Sequence, residues 1–236
     1  MASHFLAPPA LEPVLLRSDV HNNKTQGSHM PPYNYPAKSL DVQARLLSLG
    51  LTPERLMLIG AFIVTYGLFE TTLERALWTL TETDVNGLRP FTEKMKSEDQ
   101  FKRLGEGNPK VSDKCNAILK VAAHAAEDLN EYRNSLVHGY LLSFGRESAP
   151  SFMKNPGWHG VKRNKPVGDA YIDEPFQDLV LIAAWTLSGL VRHVEKSLTE
   201  PESQRAIEAI EDDVRRAKRY ADEARHLRSL MNHEKY

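Results

Sequence analysis

The sequence predicts an all-α protein: a helical bundle with a long irregular loop after its third helix and a long C-terminal helix. Apolar residues recur at spacings of three and four along several segments, which indicates amphipathic helices. Residues that start and stop helices bound these segments. The 236 residues are 41% apolar and 26% charged, a composition typical of a chain that folds and stays in solution.

Residues 1–36 differ from the rest of the chain. They hold six prolines and a polar stretch and show neither helical nor strand periodicity, which predicts a disordered tail. Within them, Gly27-Ser28-His29-Met30 resembles the sequence that an expression vector leaves after a tag is cleaved. We therefore base no functional argument on this tail.

The first strong helix signal comes after Gly50. Thr52 is a good N-cap, and Pro53 suits the first helical position. The following residues are apolar nearly all round as far as Phe69, which predicts a central, buried helix. The run from Leu56 to Phe69 is too short for a bilayer, so no membrane span is expected.

Two helices are predicted next. A short one runs from Phe91 to Leu104 and ends in the Gly105–Pro109 turn. A longer one runs from near Val111 to His138, with its apolar stripe at helical spacing.

Residues 139–172 interrupt the helical pattern with five glycines and three prolines. Such a long irregular segment inside a domain is often functional. Within it, Tyr140–Phe144 and Ala170–Ile172 suggest a short hairpin. The segment is also basic, and Lys154, Lys162, Arg163 and Lys165 are its candidate nucleic-acid-binding residues.

Two more helices complete the prediction. Asp173 caps a core helix, with Pro175 in its first turn. After Pro201, a last helix is predicted from Glu202 to about Met231, with a seam made mostly of alanine. We expect residues 37–200 to form the bundle and 201–236 to pack on another helix or to act as a dimerisation arm.

Charge and cysteine content narrow the classes of function. The formal net charge is −1, so a nucleic-acid site must be a local patch. The single cysteine, Cys115, allows neither an intrachain disulfide nor a cysteine-based zinc site, which fits the cytoplasm. The chain lacks the common phosphate-loop, dinucleotide, hydrolase and zinc-protease motifs, and its nine histidines are scattered, so no metal or cofactor is expected.

One segment, Arg133–Gly139, carries a motif at the end of the helix predicted from Val111. Arg-x4-6-His spacing is uninformative by itself, because three pairs occur, close to the number expected by chance: Arg133/His138, Arg219/His226 and Arg228/His233. The first pair differs in its context. Asn134 follows the arginine, an apolar pair precedes His138, and Gly139 ends the helix.

With these features, residues 40 to 200 resemble the HEPN family (higher eukaryotes and prokaryotes nucleotide-binding). The resemblance implies a compact helical bundle. Many members are metal-independent endoribonucleases, including toxins and antiviral effectors. It implies Arg133, Asn134 and His138 as catalytic residues, RNA as substrate and a homodimer whose two motifs face each other across a cleft. Glu70, expected to pair with Arg133, and Tyr140 are supporting residues, and a toxin would have an antitoxin protein as partner.

The residues themselves suit this chemistry. Histidine serves as a general acid or base near neutral pH, and a guanidinium grips two phosphate oxygens at once. Arg133 and His138 lie five residues apart, about 140° around a helix, so one helix does not bring them to one atom. The alternative is a noncatalytic dimerisation or partner-binding module, in which Arg133 and Asn134 cap the helix end.

Overall fold

The computed structural model describes residues 34–84, 86, 92, 95–106, 108–143, 145, 149–154 and 168–233. These residues form an α-helical bundle with one small sheet, which confirms the predicted all-α class. In chain order the elements are α1 Tyr35–Ser48, α2 Pro53–Thr81, α3 Ser97–Gly105, α4 Asp113–His138, β1 Tyr140–Leu142, β2 Ser151–Lys154, β3 Gly168–Tyr171, α5 Glu174–Ser197, a 3-10 turn Pro201–Ser203, α6 Gln204–Ala209 and α7 Glu211–His233.

Five helices enclose the core as a ring. Helix α2 packs on α5, α5 on α7, α7 on α4, α4 on α3, and α3 returns to α2. Ion pairs join α2 and α5 at both ends: Arg55 Nε lies 2.9 Å from Glu174, and Arg75 Nε lies 3.1 Å from Glu195. Because the N-terminal ends are paired with each other and the C-terminal ends likewise, α2 and α5 run parallel.

Helix α2 begins as predicted but is covered on one side only. Thr52 caps it by accepting a hydrogen bond from the Arg55 backbone, and Pro53 follows. Its inner side is fully buried, whereas Met57, Val64 and Leu68 are more than half exposed. The prediction of a central helix buried all round is therefore wrong, because α2 forms one wall of the ring.

The length of α2 bears on the expectation that no segment spans a membrane. The helix continues past Phe69 to Thr81, and it is the one helix among the described residues long and apolar enough to cross a membrane. About 28% of its most apolar 18-residue stretch is buried in the fold. Its charged residues bond to neighbouring elements, Arg55 and Arg75 to α5 and Glu70 to α3, as expected of a bundle helix.

Helix α1 was not predicted. Asn34 caps it by accepting a hydrogen bond from the Ala37 backbone (3.1 Å), and Pro36, assigned above to the tail, lies in its first turn. None of its residues is buried. Residues 1–33 of the predicted tail lie outside the described residues.

Two helix boundaries differ from prediction. Helix α3 begins at Ser97 rather than at Phe91, which lies outside the described residues. The last helix is broken at Ile210, which separates α6 from α7. The alanine seam of α7 is buried at Ala217, Ala221 and Ala224, in the helix that packs on α4 and α5.

The small sheet has the order β1-β2-β3, and both pairings are antiparallel. The predicted hairpin between the first and last of these strands is wrong, because β2 lies between them. The sheet is tied to α4 by the Tyr132 hydroxyl, which donates to the Tyr171 carbonyl at 2.6 Å. Residues 155–167, with the predicted RNA-binding residues Lys162, Arg163 and Lys165, lie outside the described residues, and Lys154 ends β2.

Candidate active site at the end of helix α4

The predicted motif occupies the last turns of α4, and its glycine has a steric role. Helix α4 ends at His138, as predicted, and Gly139 is its C-cap. The Gly139 backbone has φ −84°, which any residue adopts. A Cβ there would nevertheless lie 2.3 Å from the Ser135 carbonyl oxygen, which accepts the Gly139 N–H. Glycine is therefore required where the chain turns from α4 directly into β1.

Arg133 and Asn134 form a polar pair on the surface of this helix end. Both side chains are half-buried, and Arg133 Nη1 donates to Asn134 Oδ1 at 3.2 Å. Asn134 in turn donates to Asn130 Oδ1 at 3.4 Å. The following residues, Ser135 and Leu136, are buried and anchor this turn to the core. The asparagine thus orients the guanidinium.

His138 and Tyr140 lie on the open side of the helix end. His138 is exposed, and Tyr140 and Val137 are exposed by 55% and 47%. His138 is the last residue of α4. Its ring is therefore accessible from solvent.

Glu70 has a different partner from the one expected. Ser97 of α3 donates to Glu70 Oε1 at 2.8 Å, and between the two described residues Glu70 and Arg133 no ion pair forms. Both still act on buried Tyr66, whose pKa is raised by burial and by the Glu70 charge and lowered in part by Arg133. Glu70 and Arg133 thus lie near the same phenol.

Glu74, the other carboxylate on this face of α2, is held separately. Its Oε1 accepts from Thr92 Oγ1 at 2.5 Å, and the same hydroxyl accepts from Trp78 Nε1 at 2.7 Å. The two glutamates therefore bind different hydroxyl groups and do not share a site.

Aromatic packing that the sequence did not assign to the site sets the position of α4. The Tyr132 ring meets Phe62 of α2 edge-on at 5.3 Å and Phe176 of α5 at 5.5 Å. Tyr66 joins Phe62 at 5.8 Å. Helical periodicity marks these rings as core residues, but it does not show that they surround the residue preceding Arg133.

Among the described residues, no group of three or more His, Cys, Asp or Glu side chains is placed to hold a metal ion. This helix end thus carries an oriented guanidinium and an accessible imidazole. In comparisons with known proteins, no family model, curated sequence or solved structure matches this chain.

Proposed function

We propose that this protein is a metal-independent RNA endonuclease of the HEPN type, a toxin or antiviral effector acting in the cytoplasm as a homodimer. The supporting observation is the arrangement on α4, where Asn134 orients the half-buried Arg133 one turn before the exposed His138. Polar residues placed this way suit a phosphate and its neighbouring hydroxyl.

The proposed reaction uses the ribose as nucleophile. The imidazole of His138 removes the 2′-OH proton, and the 2′-oxygen attacks the adjacent phosphorus. Arg133 binds the nonbridging oxygens and stabilises the charge of the pentacoordinate phosphorane. The bond from phosphorus to the 5′-oxygen then breaks, and that oxygen takes a proton from a histidine. The products are a 2′,3′-cyclic phosphate and a 5′-hydroxyl.

A second copy completes this site. Along α4, Arg133 and His138 differ by about 140° and by about 7.5 Å of rise, so their tips diverge. Two copies that face each other supply two arginines and two histidines. One histidine acts as the base and the other as the acid, and the arginines bind the phosphate. Lys154, Lys162, Arg163 and Lys165 would hold the flanking RNA phosphates.

The test is RNA cleavage in EDTA. Wild type should cleave, His138→Ala should abolish cleavage, and Arg133→Lys should impair it severely because an ammonium lacks the bidentate fork. His124→Ala is the matched control, since His124 is also an exposed histidine on α4. RNA with 2′-deoxyribose at the scissile nucleotide should resist cleavage, and cleavage of that substrate at the normal rate would overturn the mechanism.

The second candidate is a noncatalytic dimerisation or partner-binding module. The observation favouring it is the apolar surface left open on α2 and α5, where Val64, Ile182 and Trp185 are each more than half exposed. Association without any cleavage, by wild type and variants alike, would support this module.

A further inference from the structure

The outer surfaces of α2 and α5 form one continuous apolar face. Its residues are spaced three or four apart along each helix, and each is exposed or half-buried. The two helices lie side by side and parallel. We call this surface the α2/α5 face; it consists of Met57, Gly60, Val64 and Leu68 on α2 and Ile182, Trp185 and Gly189 on α5. Contiguous apolar surface of this kind marks an interaction site.

Glycines within this face have no function inside the subunit. A Cβ at Gly60 or Gly189 would meet no atom within 4 Å. Glycine inside a helix costs about 1 kcal/mol relative to alanine, and here no internal contact requires it. Glycine at such positions allows another helix to approach closely, so the face has the shape of a surface on which another helix packs.

The two ends of the face carry opposite charges. Glu54 and Asp178 are exposed at the N-terminal end. At the C-terminal end, a hollow of about 530 Å³ contains one carboxylate, Glu195, among an excess of cationic groups. The cationic side chains lining it are Arg75, Arg192 and Lys196. His193 also lines it, and its pKa is lowered by burial and by the charges of Lys196 and Arg192. A partner of this face should therefore be apolar in the middle, basic at one end and acidic at the other.

We propose that a second copy of this chain packs on the α2/α5 face, antiparallel, about a two-fold axis that lies in the face and crosses α2 at Val64 and α5 at Trp185. This arrangement stacks α2 on α2 and α5 on α5. It sets the acidic end of each copy against the basic hollow of the other. The parallel alternative would bring like charges together.

Two charge pairs fix the same axis independently. Glu54 and Arg75 are equidistant from the point midway between residues 64 and 65, and Asp178 and Arg192 are equidistant from residue 185. The ion pairs between the helices, Arg55–Glu174 and Arg75–Glu195, give a register offset of 119 to 120 residues. That offset places residue 185 level with residues 65 and 66, so both midpoints lie on one line across the face.

The apolar residues fit this axis as well. Leu68 falls beside the partner's Gly60, and Ile182 beside the partner's Gly189, so each glycine accommodates a large side chain. From Met57 to Arg75 the face is about 27 Å long, and two helices are about 20 Å wide, or about 540 Å² per copy. Two copies bury about 1,100 Å², just above the roughly 1,000 Å² expected of a specific interface.

The axis also lies at the same height along α2 as the candidate active site. Tyr132 contacts Phe62, and the charge of Arg133 acts on Tyr66, so the motif lies level with the residues on either side of Val64. The antiparallel dimer therefore places both Arg133 residues at one level on the same side of α2. This step rests on the proposed function, whereas the interface itself does not.

Charge exchange tests the interface without RNA. Asp178→Arg and Arg192→Asp should each weaken the dimer at least about tenfold in sedimentation velocity, because like charges then face each other. The double variant should restore association. Gly189→Leu should fold normally by circular dichroism, since its Cβ meets open space, yet should be monomeric. Arg219→Leu, at an exposed position on α7, is the control and should remain dimeric.

Cross-linking tests the axis. Val64→Cys should form a disulfide between copies on oxidation, because this position meets its own copy at the axis, and native Cys115 is buried. Thr79→Cys, exposed at the far end of α2, should not. A wild-type protein that is monomeric at micromolar concentration would overturn the proposal, whether or not it binds lipid vesicles. Association that none of these variants changes would also overturn it. A dimer that passes these tests but leaves RNA intact would count against the proposed function alone.

Discussion

Replacing Gly139 by alanine should destabilise the protein, even though alanine adopts the φ of −84° found there. The new Cβ would lie 2.3 Å from the Ser135 carbonyl oxygen, whereas real Cβ contacts essentially never fall below 3.0 Å. It cannot swing away, because the Met153 carbonyl and the Phe152 Cβ lie 3.2 Å from it. The helix end or the sheet must therefore move by at least 0.7 Å, the difference between 3.0 and 2.3 Å.

Overpacking of this kind costs about 1–3 kcal/mol. For a domain of this size, each kcal/mol lowers the Tm by about 2–4 °C, so the Tm should fall by about 2–12 °C. Calorimetry, at a concentration where all variants share one association state, measures the change. Gly67→Ala is the matched control; its Cβ meets nothing, so helix propensity should raise stability by up to about 1 kcal/mol. If Gly139→Ala melts at or above wild type, the steric account of this helix end is refuted.

Two further predictions concern contacts within the bundle. Tyr132→Phe removes the bond to the Tyr171 carbonyl and should lower the free energy of unfolding in urea by about 1–2 kcal/mol; an unchanged value would show that this bond does not stabilise the sheet. The pKa of Glu211 is lowered by its hydrogen bond from Arg215, so its stabilising effect is present above the usual glutamate pKa and is lost as the pH falls through the lowered value. Glu211→Gln should therefore lose less stability than wild type between pH 7 and pH 3, and equal losses would contradict this assignment.

Local signals in the sequence were sufficient to place several helix ends. Thr52 caps α2, and α4 ends at His138 before Gly139, as predicted. Asp173 stands at the N-cap position of α5, but its side chain makes no capping hydrogen bond. These features depend on residues within a few positions of each other, since a cap satisfies backbone groups of the adjacent turn. The all-α class follows from the same local periodicity.

Contacts distant in sequence were not predictable in the same way. Insertion of β2 between β1 and β3 depends on pairings across the loop, and Glu70 meets Ser97 because α3 packs against that part of α2. In each case a tertiary neighbour, rather than the local pattern, selects the partner.

The sequence by itself determined that this chain is a helical bundle, that α2 is strongly apolar, and that Arg133, Asn134 and His138 end one helix. Only the tertiary structure decided that α2 is covered on one side, that Asn134 binds Arg133, and that α2 and α5 present a shared face. The physical reason is that periodicity records which residues are apolar, whereas burial depends on which other elements cover them. The sequence pattern of an apolar helix is therefore the same whether its outer face packs against the same chain or against another copy.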